Sequence, residues 1–414
     1  SRVPDSQLDL DFIRGLYPDS CWEWAFFENA GGSFVPLSVI ERMTAYISET
    51  QVQPGAPYPS SALAGERMAK AKQLMAELIN ADDREVTIGA STSMNVYVLA
   101  QALRPLWREG DEIIVTELNH EANAGPWRRL AEFGINTVEW PVDPDTGILN
   151  IDNLDQLLTD RTRLIAFPHV SNITGDINDV AKITAKAHDA GAMVCVDGVA
   201  YAPHRAIDVK AWDVDFYSFS FYKIYGPHIG CLFGRYDRLL EARGQYHYFI
   251  DENATDSKLN PAGPNHETIA SLHGIADYFE ALAGHHLETP FNSFHERVAA
   301  MFDMFTAHEE TMAKRFLDFI DGKANARLLG RRTGDGVKRA PTFSFVVDGR
   351  RSADIARAVE ADRVAIRNGH FYAKRLVEAV GIGDTDDGVV RCSMVHYNTP
   401  TEIECLITAL DKAL

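Results

Sequence analysis

The sequence predicts an α/β protein in which a large domain, built on a mostly parallel seven-stranded sheet between layers of helices, precedes a smaller α+β domain. Seven short apolar segments between 86 and 234 alternate with helix-like segments, a pattern typical of parallel sheets covered on both faces. The chain has 414 residues, which is more than one ordinary core accommodates. We therefore expect an N-terminal segment (1–25), a large domain (26–285) and a small domain (286–414), connected through a long helix at about 290–319.

The first part of the chain leads into this alternation. Segment 26–36 has a short aromatic stretch followed by a Gly-Gly turn, and 51–61 is rich in Pro, Gly and Ser, which is typical of an exposed loop. A helix is predicted from about Glu66 to Asn80, because apolar residues fall on one face (Met68, Ala71, Leu74, Met75 and Leu78). The predicted strands that follow are 86–88, 112–116, 136–140, 163–167, 192–196, 215–219 and 230–234. The helices predicted between them are 93–103, 125–133, 152–158 and 180–189.

Past Pro264 the apolar period becomes helical, which predicts helices at 267–283 and 290–319. From 340 onward a second alternation of strands and helices predicts the smaller α+β unit. Its predicted strands are 342–347, 363–367 and 389–395. Its predicted helices are 352–360, 371–380 and 401–410.

Composition excludes several classes of protein. The net charge is -19 and no basic run occurs, which argues against nucleic acid or an anionic membrane surface as a partner. The five cysteines are scattered without metal-ligand spacing, which argues against a zinc site or a disulfide framework and suits a reducing cytoplasm. No apolar run has the length of a membrane span, and the N-terminal stretch does not have the pattern of a signal peptide. We therefore expect a cytoplasmic protein.

The segment 215–230 places one lysine, Lys223, in a run of aromatic, small and glycine residues that is otherwise uncharged after Asp215. An apolar environment lowers the pKa of a lysine and makes its amine a nucleophile, as in Schiff-base lysines. The alternative is a surface lysine whose aliphatic stem lies over the aromatic rings. The segment alone does not decide between the two.

Polar residues follow the ends of several predicted strands, where ligands collect in sheets of this kind. The turn GASTSMN (89–95) leads into a helix whose first N–H groups and hydroxyls could bind phosphate, or could simply cap the helix. Asp197 could pair with a pyridinium nitrogen or cap a turn. His120 could lie on a cofactor ring or be an ordinary loop residue, and Asn172 could donate to a phenolate or set a turn. Together with Lys223, in this order, they predict a site for pyridoxal 5′-phosphate (PLP).

These motifs resemble those of the class V aminotransferase family of fold type I, in its cysteine desulfurase-like branch. The resemblance covers nearly the whole chain and is carried by NHEAN, HVSNITG, VDGVAYAPH, FYSFSFYKIYGPHIG, RNGHFYA and RCSMVHYNT. It implies that Lys223 forms the Schiff base with PLP, that Asp197 faces the pyridine nitrogen and that His120 stacks on the ring. It also implies that Asn172 contacts the ring hydroxyl.

The resemblance implies further roles in holding phosphate and substrate. Thr92, Ser93 and Ser220 would bind the cofactor phosphate, with help from the segment 263–267, including Gly263 and Asn265, of a partner subunit in a homodimer. Arg367 and Arg391 would bind the carboxylate of a small amino acid, for which a guanidinium fork is well matched. Asn29 and Tyr372 are further candidate substrate contacts, and no metal ligand is predicted.

The sequence departs from the cysteine desulfurase pattern at the substrate end. Tyr372 stands in RNGHFYA where those enzymes carry a nucleophilic cysteine, and Cys392 lies in an apolar strand where a thiol is usually inert. Tyr222 and Ala200 replace a histidine and a glutamine that are common in that branch, and the early loop GAPYPSS lacks an expected arginine. The cofactor machinery is expected to be kept, with a changed substrate pocket.

The first functional hypothesis is therefore a PLP-dependent lyase that acts at the β-carbon of a small, acidic amino acid by β-decarboxylation, desulfination or a decarboxylative aldol step. The alternative is an aminotransferase or an epimerase, in which Lys223 would transfer protons. A cysteine desulfurase and a non-catalytic PLP-binding protein are the remaining alternatives.

Overall fold

The computed structural model describes residues 7–288 and 290–414. The beginning of the predicted N-terminal segment (1–6), on which part of the signal-peptide expectation rests, lies outside the described residues, as does 289. No helix in the two described ranges is long and apolar enough to cross a membrane.

The predicted α/β fold is confirmed by a seven-stranded, mostly parallel sheet. Only the strand 230–234 runs antiparallel to its two neighbours. In their order across the sheet, the strands are Val86–Gly89, Gly230–Gly234, Phe216–Ser220, Met193–Asp197, Thr162–Pro168, Glu112–Thr116 and Asn136–Trp140. Apolar side chains alternate between the two faces, so that Ile113 and Val115 pack in one core cluster and Ile114 packs in another. Both faces are therefore covered.

Helices pack around this sheet and around a smaller, four-stranded sheet nearer the C-terminus. The helices up to 288 are Leu10–Arg14, Leu37–Glu49, Pro59–Leu78, Thr92–Leu103, Gly125–Arg128, Leu154–Leu157, Val180–Asp189, Tyr236–Glu241, His266–Ser271 and His273–His286. Those after 290 are Phe294–Asp321, Ser352–Glu360, Lys374–Ala379 and Pro400–Ala413.

A smaller, antiparallel sheet follows the long helix 294–321 and has its own apolar core. Its strands, in order across the sheet, are Arg367–Gly369, Val389–Ser393, Thr342–Val347 and Ala326–Leu328. The N-terminal strand Ala25–Phe26 pairs in parallel with Val364–Ala365. The division into 1–25, 26–285 and 286–414 stays a prediction.

Some predicted elements have different limits in the structure. The loop predicted at 51–61 ends at Tyr58, because Pro59 occupies the first position of the next helix, where a missing N–H costs nothing. The helix predicted at 267–283 is divided at Leu272. The helix predicted at 371–380 begins only at Lys374, since Phe371 and Tyr372 have φ angles of 51° and 61°, which a helix excludes.

Candidate active site

A pocket of about 600 Å³, including open solvent, lies at the carboxyl ends of the central parallel strands. Parallel strands bring these ends to one edge of the sheet, which is where open α/β sheets bind ligands. The polar residues that line the pocket are Ser91, Thr92, Ser93, His120, Asn172, Asp197, Ser220, Tyr222 and Lys223. Seven predicted site residues, distant in sequence, therefore meet in one pocket.

Lys223 lies in a single 3₁₀ turn that directly follows the strand 216–220. Its Nζ donates a hydrogen bond to the carbonyl oxygen of Ala30, which also lines the pocket. Burial, with a smaller contribution from the positive charge of Arg391, lowers the pKa of Lys223 to about 7. A large fraction of this amine is therefore neutral and nucleophilic at physiological pH, as the buried-lysine interpretation requires.

Asp197 is the last residue of the strand 193–197 and is buried. One carboxylate oxygen, Oδ1, accepts a hydrogen bond from the Val199 N–H at 2.9 Å. Burial raises the pKa of Asp197 to about 6, and the charge of Lys223 opposes this effect. The pocket thus contains a carboxylate that a cationic or protonated ring nitrogen would stabilise.

His120 follows the strand 112–116 on the other side of the pocket. Its Nδ1 accepts a hydrogen bond from the Ala122 N–H at 3.0 Å, which places the proton of the neutral ring on Nε2. Burial lowers the pKa of His120 to about 4, aided by the charges of Lys223 and Arg391. The imidazole is therefore neutral at physiological pH and can face a ring without adding charge.

Hydroxyl groups gather at the N-terminus of the helix 92–103. Ser91 caps this helix by accepting a hydrogen bond from the Met94 N–H at 3.1 Å, and Thr92 and Ser93 occupy its first positions. The Oγ1 atom of Thr92 lies 2.8 Å from the Oγ atom of Ser220. Free N–H groups at a helix N-terminus and adjacent hydroxyls suit a phosphate group.

Asn172 connects the pocket to the buried Arg391. The Nδ2 atom of Asn172 donates to the Phe371 carbonyl at 2.9 Å, and its Oδ1 is buried without a partner among the described residues. Its carbonyl oxygen accepts from Arg391 Nη1 at 3.1 Å. The Arg391 guanidinium lies 3.6 Å above the Phe371 ring, and its Nε has no partner in the described parts of the chain. A buried polar atom without a partner needs an explanation, and a bound ligand would provide one here.

The other predicted substrate residues are placed unequally. Arg367 is exposed and its Nε donates to the Glu28 carboxylate. Tyr372 has 71% of its surface exposed, and its ring centroid lies 5.4 Å from that of His120. Arg367, Tyr372 and Arg391 are all outside the set of residues that line the pocket.

Asn29 does not line the pocket, and neither do Gly263 and Asn265, which are predicted to serve the site of a partner subunit. The Asn29 side chain is buried, donates to the Ser393 carbonyl at 2.9 Å and accepts from the Tyr397 hydroxyl. Because these bonds occupy its amide, the structure places Asn29 in the interior packing instead of at the substrate. Gly263 and Asn265 are exposed, and Asn265 caps the helix 266–271.

Sequence reasoning missed two features of the site, the Ala30 carbonyl and the Glu28 carboxylate. Both belong to the segment ENAGG (28–32), whose Gly-Gly pair indicated a close approach of the backbone to another group. The charge on Glu28 was the available signal, because a carboxylate beside such a turn needs a partner.

The donors and acceptors present fit the predicted cofactor. A nucleophilic amine suits the aldehyde of PLP, a buried carboxylate suits its ring nitrogen, and hydroxyls at a helix N-terminus suit its phosphate. The residues that would hold PLP are thus Lys223, Asp197, His120, Thr92 and Ser220.

Comparisons with known proteins agree with this fit. The family model described as Aminotransferase class-V matches residues 25–288 and 294–406. An aminotransferase-like protein of Gibberella zeae is 37% identical over 420 residues, covering 100% of both chains. A cysteine desulfurase-like protein of Aspergillus flavus is 33% identical over 422 residues, covering 99% of this chain and 91% of that protein.

A solved structure shows the same fold. The crystal structure of a cysteine desulfurase of Escherichia coli superposes with a TM-score of 0.83 at 24% identity, covering 99% of each chain. The predicted fold class and family are both confirmed. The chain belongs to the class V aminotransferase family and is a PLP-dependent enzyme.

Proposed function

We propose that this protein is a lyase that removes an acidic group from the β-carbon of a small amino acid, by β-decarboxylation, desulfination or a decarboxylative aldol step. The observation that carries the proposal is a pocket that has groups suited to PLP but no thiol among its lining residues. Persulfide formation needs a thiol, whereas release of CO₂ or SO₂ from Cβ needs only an electron sink and a proton carrier.

Three of the five cysteines support this choice. Cys195, Cys231 and Cys392 are buried, and burial raises the pKa of each thiol above its ordinary value. A protonated, buried thiol is a poor nucleophile. Tyr372 occupies the loop that carries the cysteine in the desulfurase pattern. A phenol cannot accept sulfur as a persulfide, so this loop favours a reaction other than sulfur transfer.

Bound PLP would supply an electron sink for the bonds at Cα and Cβ of the amino acid. Asp197 would keep a positive charge on the ring nitrogen, because a buried carboxylate with a raised pKa is stabilised by an adjacent cation. Lys223 Nζ would remove and return the proton at Cα, since its pKa of about 7 allows both states near neutral pH.

The other pocket residues would bind and orient. Thr92, Ser93 and Ser220 would hold the phosphate, while neutral His120 would cover one side of the ring. Asn172 would contact the ring hydroxyl, although one of its donors is already used by Phe371. Arg391, whose guanidinium stays protonated at neutral pH, would bind the substrate α-carboxylate, and Arg367 stands beside it.

The direct test is to incubate the purified, PLP-loaded protein with aspartate and with cysteine sulfinate and to measure alanine. Aspartate and a proton would give alanine and CO₂, and the sulfinate would give alanine and SO₂. Added aldehydes test whether Cβ forms a new carbon–carbon bond instead. Absence of both alanine and aldol product from every β-substituted acid would exclude the proposal.

Transamination is the second candidate, because the Gibberella zeae relative is named aminotransferase-like and Lys223 can transfer protons between two carbons. It predicts that an amino acid alone converts the bound cofactor to its amine form, with loss of the visible absorbance. Absorbance spectra with each of the twenty amino acids distinguish this outcome from alanine formation.

A homodimer, with each site completed by the neighbouring chain, is part of the proposal. The segments expected to reach the neighbour's site, 51–61 and 263–267, lie side by side here, since Gln51, Gln53, His266 and Glu267 line one surface pocket. The helices at 37–49 and 59–78 also expose large apolar side chains (Leu37, Ile40, Ile47 and Leu63). Sedimentation velocity tests the dimer, and Asn265→Ala tests the shared phosphate site through the affinity for PLP.

A further inference from the structure

Two arginines stand directly opposite each other at the substrate end of the site. Arg367 and Arg391 are register partners on adjacent antiparallel strands of the small sheet. Like charges in directly opposite positions destabilise a sheet unless an anion compensates them. Arg391 is buried and Arg367 is exposed, so one member of the pair lies inside the protein and the other faces solvent.

Glu28 provides one compensating charge. Its carboxylate accepts from Arg367 Nε, and its negative charge raises the pKa of Arg391 against the effect of burial. A Cβ atom on Gly31 would lie 3.0 Å from Glu28 Oε1 and 3.6 Å from Arg391 Nη2. The glutamate and the buried arginine therefore converge over Gly31, one residue from the Ala30 carbonyl that accepts from Lys223.

Two guanidinium groups and one carboxylate leave a single positive charge for a substrate. We propose that Glu28 determines how the site binds a substrate's second acidic group, by neutralising Arg367 and leaving only Arg391 free for a carboxylate. This inference rests on the proposed function, because it concerns the acidic group at Cβ. Glu28 is thus a specificity-determining residue that does not take part in bond breaking.

The charge of the leaving group explains why this arrangement would favour the reaction. When a β-carboxylate leaves as CO₂, or a sulfinate as SO₂, the bond's electron pair stays with the amino-acid fragment, a proton is taken up at Cβ, and the leaving group loses its negative charge. A guanidinium bound to that group would stabilise the reactant more than the transition state, and would slow the step. Neutralisation of Arg367 by Glu28 removes this unwanted stabilisation.

The test compares the purified, PLP-loaded wild-type protein with the isosteric variant Glu28→Gln, each in the oligomeric state in which it is purified. Butyrate and succinate, which have the same carbon number and one or two carboxylates, are titrated by calorimetry. Release of Arg367 should lower the Kd of succinate about fivefold and leave that of butyrate nearly unchanged. For aspartate, KM should fall and the rate constant for alanine formation should fall with it.

Two further variants make the result specific. In the double variant Glu28→Gln/Arg367→Gln the succinate Kd should return to the wild-type value, because the released guanidinium is gone. Glu404→Gln removes an exposed ion pair with Arg315 outside the pocket lining and should change neither Kd. If Glu28→Gln weakens both ligands equally, Glu28 only holds the arginines in place and the inference is wrong.

If Glu28→Gln does not fold, Arg367→Gln alone decides the question. The unpaired Glu28 would then compete for Arg391, so the Kd of both ligands should rise about threefold. Unchanged Kd values would overturn the inference. A shifted succinate Kd with neither alanine nor aldol product from any β-substituted acid would leave the inference standing and reject the proposed reaction. Formation of either product with an unshifted Kd would do the reverse.

Discussion

Two buried aspartates stand at opposite ends of two adjacent parallel strands and have opposite properties. Asp197 closes the strand 193–197 at its carboxyl end and accepts from one N–H group, and burial raises its pKa to about 6. Asp215 directly precedes the strand 216–220 at the amino end, where His188 Nε2, the Val194 N–H and Arg238 Nε lie within 3.0 Å of it. Burial raises the pKa of Asp215, but these partners together outweigh it and hold the pKa below its ordinary value.

Within one sheet, Asp197 lies where it can serve the cofactor, whereas Asp215 lies where it can stabilise the fold. A buried carboxylate with several charged and polar partners stabilises the folded chain in its charged form, whereas one with a single N–H partner costs stability until a ligand arrives. The carboxyl edge also holds Lys223, whose pKa is lowered, and Asn172, whose Oδ1 has no partner within 7–288 and 290–414. The carboxyl edge therefore brings together an amine, a carboxylate and an amide that a bound cofactor could use.

Replacing the amine at the carboxyl edge should have the largest effect. We expect Lys223→Ala to lower activity at least about ten-thousandfold, because it removes both the attachment point of PLP and the proton carrier. Absorbance spectra should show loss of the visible band. The thermal unfolding midpoint of the cofactor-free variant should be no lower than that of the cofactor-free wild type. A retained visible band would contradict the assignment of Lys223.

Asp197→Asn should come next, with a fall in activity of about a thousandfold. The amide can still accept from the Val199 N–H but cannot stabilise a positive ring nitrogen. Since burial raises the pKa of Asp197, its charged form destabilises the cofactor-free fold above about pH 6, so the midpoint of thermal unfolding at neutral pH should not fall. Equal loss of activity and stability would mean that Asp197 is a structural residue.

Asp215→Asn is the matched change at the amino edge and should have the opposite result. Loss of the charge beside His188 and Arg238 should cost about 3 kcal/mol of unfolding free energy. Because the folded pKa of Asp215 is lowered, this stabilisation is present above the unfolded pKa and disappears as the pH falls through the folded pKa. Urea unfolding measures the cost, while kcat per folded molecule should stay at the wild-type value; a large fall in kcat would break the comparison.

The edge that carries the site could be predicted from the sequence because the strands that position it are short apolar runs followed by polar residues, as at Asp197 and Ser220. The strands 112–116, 136–140 and 230–234 have the predicted limits, and so does the helix 180–189. Apolar alternation and turn residues act within a few positions, so they are visible in the sequence. The polar residue after such a strand is then placed at the ligand-binding edge by topology alone.

What could not be predicted depends on contacts between distant parts of the chain. Asn29 lies beside the site in sequence, but its amide is bonded to Ser393 and Tyr397, which are more than 360 residues away. The left-handed conformation of Phe371 and Tyr372 is enforced by Asn172 and by the Glu121 N–H, which donates to the Tyr372 carbonyl at 2.7 Å. Neither aromatic residue favours a positive φ, so no local pattern indicated it.

The smallest effect concerns the pH at which the carboxyl edge becomes reactive. Only the neutral amine of Lys223 attacks an aldehyde, so the rate of PLP capture by the cofactor-free protein should rise about tenfold per pH unit up to about pH 7 and then level off. An exposed lysine would give a rate that still rises at about pH 9. Stopped-flow absorbance from about pH 5 to about pH 9 distinguishes the two.

The variant Arg391→Gln tests the second cause of the lowered Lys223 pKa. Because burial is the main cause and the charge of Arg391 is the second, the pH at which the rate levels off should rise in this variant without reaching an ordinary lysine pKa. If the pH at which the rate levels off does not change in Arg391→Gln, burial alone lowers the pKa of Lys223. The contrast between Lys223 and Asp215 would then come from solvation and not from neighbouring charges.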